Sequence, residues 1–229
     1  MITNKNDSNL NNNGNTHNLN INEFIKDEKF FNDSYTIFIC GVGGQGIIKT
    51  SVIIGDAAIA EGYNVVMSEI HGMSQRGGVV STELKIGNFK SSIIEESQAD
   101  MILGFEPVEV VRSLNKGNTD TKIVFNTNPI IPPNINSQKN SYPDIGRVVK
   151  TLKDNYPYVY NIDGDKLAQE AGSIMTLNMV LLGAATGENS FPLSKESIIS
   201  SMKDNLKENF HEMNLKAIEK GFGSVKSQL

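Results

Sequence analysis

Three short runs in this chain carry residue types that can hold or move charge. The first is Gly41-Val42-Gly43-Gly44-Gln45-Gly46, with the spacing G-x-G-x-x-G. Between a strand and a helix, such a turn aims backbone N–H groups at an anion, and the helix dipole reinforces them. Its glycines also admit φ > 0 and let a phosphate or another backbone come close. The second run is His71 to Gly78 (HGMSQRGG), which brings His71, Gln75 and Arg76 together with Gly77. The planar fork of Arg76 suits a carboxylate or a phosphate, and His71 suits proton transfer or donation. Glu69, just ahead of this run, lies near the position where a dinucleotide fold keeps its ribose-binding acid. The third is Glu106, at the carboxyl end of an apolar strand pattern, where open α/β sheets place ligands.

Each run also has a plain structural explanation. The glycines serve equally for tight strand–helix packing, and the polar loop equally for seating on a partner subunit through Arg76. Glu106, Glu109 and Arg112 fall on one helix pattern, where a Glu109–Arg112 pair is worth only about 0.2–0.5 kcal/mol. A solvated helical face is the expectation for them. Dinucleotide binding in a free-standing nicotinamide-dependent dehydrogenase, ligand handling in a larger enzyme, and pure assembly all remain open at this level.

The elements that must position these residues follow from periodicity. Tyr35 to Cys40 is a short apolar strand, and Ile47 to Ala60 has helical spacing. Further strands are expected at Tyr63–Ser68, Val79–Ile86, Ala99–Phe105, Lys122–Asn126 and Tyr158–Ile162. Helices are expected from Pro107 to about Asn115 and at Ile145–Asp154. Asp163 is placed to cap Gly164–Ala171. The C-terminal third reads as helices at Ile174–Ala185, Lys195–Asn209 behind a Ser194 cap, and His211–Gly221. Pro129 to Pro143 is a long loop rich in proline and asparagine. Alternating strands and helices predict an α/β fold with an open, mostly parallel sheet and helices on both faces. Its first β-turn-α unit is Rossmann-like and its C-terminal third is helical.

Composition narrows the field. A length of 229 residues suits one α/β domain with an appendage. Residues 1 to about 22 hold ten asparagines and little to bury. Residues 1–34 therefore read as a disordered tail, with Phe24–Phe31 a short lead-in and residues 35–229 the folded domain. A formal charge of −5 gives no electrostatic support for nucleic-acid binding. No apolar run approaches the roughly 20 residues of a membrane span, and no secretory leader is visible, so the expected location is cytoplasmic. One cysteine, Cys40, cannot supply the thiolates of an iron–sulfur cluster. Three histidines, one of them in the tail, make a metal site unexpected. The phosphate-loop motif G-x-x-x-x-G-K-[ST] and the nucleophile elbow G-x-S-x-G are both missing.

Taken together, GVGGQG, SEIHGMSQRGG, ADMILGFEPVEVVRSL, NTNPIIPP, SYP and NLKAIEKGF resemble the gamma-domain family of the 2-oxoacid:ferredoxin oxidoreductases. The resemblance covers roughly Tyr35 to Phe222. HGMSQRGG is similar to the indolepyruvate:ferredoxin oxidoreductase branch; pyruvate-type members tend to carry a Phe-rich stretch with Arg-Arg-Gly there. The Asn-rich tail departs from the family pattern. The resemblance implies a non-autonomous subunit of a heteromeric enzyme. That enzyme would decarboxylate an arylpyruvate, pass the acyl group to coenzyme A and send electrons to ferredoxin. It implies a larger alpha subunit that binds thiamine diphosphate, Mg²⁺ and the iron–sulfur clusters, with no cofactor bound by this chain alone. Gly41 to Gly46 with Gln75 and Arg76 would then form a polar wall near the coenzyme A or substrate entrance.

Overall fold

The computed structural model describes residues 34–72, 78–131 and 142–229. Chain order runs β1 (Tyr35–Val42), α1 (Ile47–Ala60), β2 (Val65–His71), β3 (Val79–Ile86), β4 (Ala99–Gly104), α2 (Pro107–Arg112) and β5 (Gly117–Asn126). It continues through α3 (Ile145–Asn155), β6 (Val159–Ile162), α4 (Gly164–Ala171), α5 (Leu177–Gly187), α6 (Lys195–Asn205) and α7 (His211–Lys226). The six strands lie in the order β2-β3-β1-β4-β5-β6. β3 runs antiparallel to both β1 and β2, whereas β1, β4, β5 and β6 pair in parallel. The expected open, mostly parallel sheet is therefore present, with β3 as its reversed strand.

Both faces of the central strands are buried, which explains their continuous apolar sequences. In β1, Ile37 and Ile39 enter one core and Phe38 and Cys40 the other. The first core is closed by α1 and by α4 to α7, through residues such as Ile54, Ala168, Leu181, Met202 and Ile218. The second is thinner and is closed by Val110 of α2, Leu152 of α3 and Ile94. α5 and α7 approach closely because Gly183 faces the backbone of Ile218 and Gly221 faces that of Val180; a Cβ at either would collide. Gly221, expected to end the last helix, therefore lies inside α7.

Other boundaries moved for local reasons. β2 starts at Val65 and continues to His71, so Glu69 and His71 are strand residues. β5 begins at Gly117, not Lys122, because the Thr121 hydroxyl accepts from Asn118 N–H and donates to the Ala99 carbonyl, holding the polar stretch in the sheet. α2 stops at Arg112 and a tight turn, Leu114–Lys116, follows. α6 ends at Asn205, whose amide donates to Asp56 while Leu206 turns extended. The tail, the Phe24–Phe31 lead-in and most of the Pro129–Pro143 loop lie outside the described residues.

A buried ion pair ties β3 to the segment that crosses to β4. Glu83, only 2% exposed, accepts from the Ile94 N–H at 2.6 Å and from Lys116 Nζ at 2.9 Å. The Lys116 ammonium also donates to the Ile94 carbonyl and lies over the Phe38 ring. Removing one partner of a buried pair strands the other charge and costs about 3–5 kcal/mol. Glu83→Gln should thus lower the thermal midpoint by roughly 6 °C or more for a domain of this size, measured by scanning calorimetry, whereas Lys150→Ala in the exposed pair with Asp154 should hardly move it.

Candidate functional site

Helix α1 starts at the carboxyl edge of the sheet from a glycine turn. Gly44 and Gly46 have φ of +101° and +83°, and Gly46 packs under Asn178 of α5. Gly41 is small for a different reason: a Cβ there would lie 2.6 Å from Phe105 Cβ and from Gln45 Oε1. No side chain caps α1, so its first-turn N–H groups depend on other partners. The β2–β3 hairpin reaches the same edge. Gly43 N–H donates to the Gly78 carbonyl at 2.9 Å, and Gly72 N–H to that of Val79 at 2.8 Å. Gly72 and Gly78, the flanks of the polar loop, thus stand beside the turn. Gln75, Arg76 and Gly77 lie outside the described residues.

Gln45 is occupied within the protein. Its Oε1 accepts from Val42 N–H at 2.7 Å and its Nε2 donates to the Phe105 carbonyl at 2.8 Å, bracing the end of β1 against the end of β4. Asn126 extends the brace. Buried at the end of β5, it donates to the Phe105 carbonyl and to Asp165, and accepts from the N–H groups of Gly164 and Asn128. Asn128 in turn accepts from Asp165 N–H. Sequence reasoning passed over Asn126, Asn128 and Asp165 as site residues. The available signal was an asparagine pair directly after an apolar strand.

Two clefts flank the glycine turn. One, of about 220 Å³, is lined by Gly44, Gln45, Asn126, Asn128, Asp165 and Met175, with further apolar residues at its mouth. The other, of about 410 Å³, lies between the turn, Ile47, Ile48 and His71. His71 and Glu69 sit two apart on one strand face and their side chains meet at 3.2 Å. β3 intervenes between β2 and β1, so Glu69 stands one strand farther from the turn than the ribose-binding acid of a dinucleotide fold, where the second strand adjoins the first.

Glu106 caps α2, accepting from Val108 and Glu109 N–H, with Pro107 at the first helical position. It is buried, and so is Glu109, contrary to the expected solvated face, because short α2 lies flat on the ends of β1 and β4. Burial holds the Glu109 carboxyl above its ordinary value, opposed by the Arg112 guanidinium at 2.5 Å. Burial likewise raises the Tyr142 phenol, with its hydrogen bond to Glu106 acting in the same sense. Cys40, on the same face, has its thiol pushed up to about 12 by burial, only partly offset by Ser113.

This six-stranded sheet with its helical C-terminal third shares its fold with a solved oxidoreductase gamma subunit. The keto/oxoacid ferredoxin oxidoreductase gamma subunit from Geobacter sulfurreducens matches it with a TM-score of 0.62 at 24% identity, over 84% of this chain and 99% of that one. The family model described as pyruvate ferredoxin/flavodoxin oxidoreductase matches residues 36–224, and the chain belongs to that family. It is 49% identical to indolepyruvate oxidoreductase subunit IorB of Methanothermobacter thermautotrophicus, over 84% of this chain and 98% of that relative. It is 35% identical to the subunit of the same name from Archaeoglobus fulgidus, over 82% and 94%.

The residues present do not fit an iron–sulfur cluster: the sole cysteine is buried and its thiol is held protonated. Among the described residues, no group of three or more His, Cys, Asp or Glu side chains is arranged to hold a metal ion. No helix among them is long and apolar enough to cross a membrane.

Cys40 should therefore resist alkylation at pH 8 in the folded chain and react once the chain is denatured. Its ordinary value is 9.0 and its folded value about 12, so the stability it contributes is complete below pH 9 and is lost as pH rises toward 12. Tyr35 and Tyr142, also raised by burial, act in the same direction. The thermal midpoint should fall across that window, and less steeply in Cys40→Ala.

Proposed function

We propose that this chain is a non-autonomous subunit of a heteromeric oxidoreductase that oxidatively decarboxylates arylpyruvates, indolepyruvate first among them, to the aryl-acetyl-CoA. The observation that carries this reading is the 49% identity to an indolepyruvate oxidoreductase subunit across 98% of that relative. Ferredoxin is the proposed electron acceptor and the cytoplasm the proposed location. A larger alpha subunit is proposed to hold thiamine diphosphate, Mg²⁺ and the iron–sulfur clusters, in keeping with a chain whose single thiol is buried. Thiamine diphosphate, when bound there, supplies the electron sink for decarboxylation.

This chain's own contribution is a polar wall. The glycine turn and the start of α1 supply backbone donors, and the helix dipole favours an anion beside them. Arg76, two residues before Gly78, whose carbonyl accepts from Gly43 N–H, adds a guanidinium suited to a carboxylate of the 2-oxoacid or a phosphate of coenzyme A. Gln45 serves the wall by shaping it: both ends of its amide are bonded to the backbone. His71 stands at the rim, its Nε2 against the Glu69 carboxylate at 3.2 Å.

The test is activity with and without the partner. The chain is purified alone and with its candidate cluster-bearing subunit, and viologen reduction is followed with indolepyruvate and coenzyme A. Activity is expected only in the pair; failure of a cluster-loaded pair on arylpyruvates would move the assignment to another 2-oxoacid. Arg76→Ala should raise the KM of one anionic substrate roughly tenfold or more, the size of a lost charge-assisted hydrogen bond, with the pair intact. Separation of the subunits instead would make the loop an interface element and end the ligand reading for Arg76.

A further inference from the structure

We infer that Glu106 is a positioning residue for the cleft wall at the carboxyl edge, holding the segment after β5 in place for ligand; this rests on the reading of that edge as ligand-facing. The side chain is 2% exposed, yet it stands at the end of the sheet and both its oxygens are engaged. Oε2 accepts from Val108 N–H at 2.8 Å and from Glu109 N–H at 3.1 Å, which is the helix cap. Oε1 accepts from Ile130 N–H at 3.4 Å and from the Tyr142 hydroxyl. A cap alone needs one oxygen on a short side chain, and serine, aspartate or asparagine provides it. The second oxygen therefore does something that capping does not require.

What it does follows from where its partners lie. Ile130 lines the cleft together with Asn128, Gly44 and Gln45. The segment carrying Asn128 and Ile130 is tied at its start by Asn126, which accepts from Asn128 N–H, and at its end by Glu106. Asn126 fixes that wall to α4 through Gly164, and Glu106 fixes it to α2. The start is held further by the Asn128 side chain, which accepts from Asp165 N–H, and by Thr127, which donates to the Ile162 carbonyl. With the Glu106 bond lost, the Ile130 end loses its tie while the start keeps its own. Tyr142, at the approach to α3, shares the same oxygen, so the carboxylate joins three parts of the chain that meet at this edge.

Two variants of Glu106 separate the tie from the cap. Glu106→Gln keeps an oxygen for the cap but turns an NH₂ toward Ile130 N–H, donor against donor. Glu106→Asp keeps a strong cap and withdraws from Ile130; it carries the test if the glutamine variant fails to assemble. In the assembled complex without substrate, the amides of Ile130, whose bond is lost, and of Asn128, in the same segment, should exchange hydrogen faster in either variant, Ile130 by about tenfold, the effect of one lost hydrogen bond. The KM for coenzyme A or for indolepyruvate should rise by a similar factor, with kcat within about twofold. Tyr142→Phe, which leaves the Ile130 bond in place, should change neither. Unchanged exchange at these amides would overturn the inference whatever the kinetics. Faster exchange with both KM values unmoved would keep the tie but overturn its role in ligand binding, and with it the ligand reading of this cleft. Equal effects from Tyr142→Phe would show that the carboxylate acts through the α3 approach and not through Ile130, which also overturns it.

Discussion

At the carboxyl edge of a parallel sheet the ladder of backbone hydrogen bonds runs out, and buried N–H and C=O groups there still need partners. The carbonyl of Phe105 marks that point in this molecule. It lies just past β4, on a residue that is fully buried, and it receives the side-chain amides of Gln45 from one side and Asn126 from the other. Those two side chains also satisfy Val42, Asn128 and Gly164. One carbonyl thus fixes how the glycine turn, the end of β5 and the start of α4 stand relative to one another. Everything proposed for the edge depends on that arrangement, because donors aimed at an anion are useful only when they do not move with it.

The same demand explains why the edge was only partly legible in the sequence. Strand and helix positions were readable because burial on both faces leaves apolar runs, and the GVGGQG turn was readable because its glycines serve positive φ and close approach. The order of the strands was not. That β3 lies between β1 and β2 depends on a hairpin pairing whose partners are far from β1 in sequence, and it removed Glu69 from the role its spacing had offered. Gln45 was read as a ligand candidate, but its amide completes the backbone at Val42 and Phe105, a need that appears only when β4 is placed beside β1. Asn126 and Asn128 went unnoticed for the same reason. Gly221 showed the converse: a residue type that stops helices in isolation sits within one because a neighbouring helix requires the space.

The second face of the sheet carries an unusual load of buried carboxylates, and each is accommodated differently. Glu83 is paired with Lys116 and the Ile94 amide. Glu106 is surrounded by neutral donors, three backbone N–H groups and a phenol. Among the described residues Glu109 has only Arg112 as a side-chain partner, and burial holds its carboxyl up. A carboxylate met by neutral donors leaves no buried countercharge behind it, so it can join chain segments without fixing the position of a cation. That property suits a residue at an edge where a charged ligand is expected, and it sets Glu106 apart from the other two.

The clefts on either side of the turn have volumes of about 220 and 410 Å³. Small-molecule sites usually fall at about 300–1,000 Å³ and enclose most of their ligand. One cleft is below that range and the other near its lower end, while a coenzyme A thioester is a large ligand by the same measure. On the reading proposed above, the edge is one wall of a site. Beside its polar residues the smaller cleft is lined by a rim of exposed apolar side chains, Ile130, Ile174 and Met175, which water alone would not favour. A second surface laid there would bury the apolar rim and enclose the polar wall in one step. Under the division of labour proposed above, the present chain supplies geometry, and its sheet edge is braced accordingly by amides and a capped carboxylate.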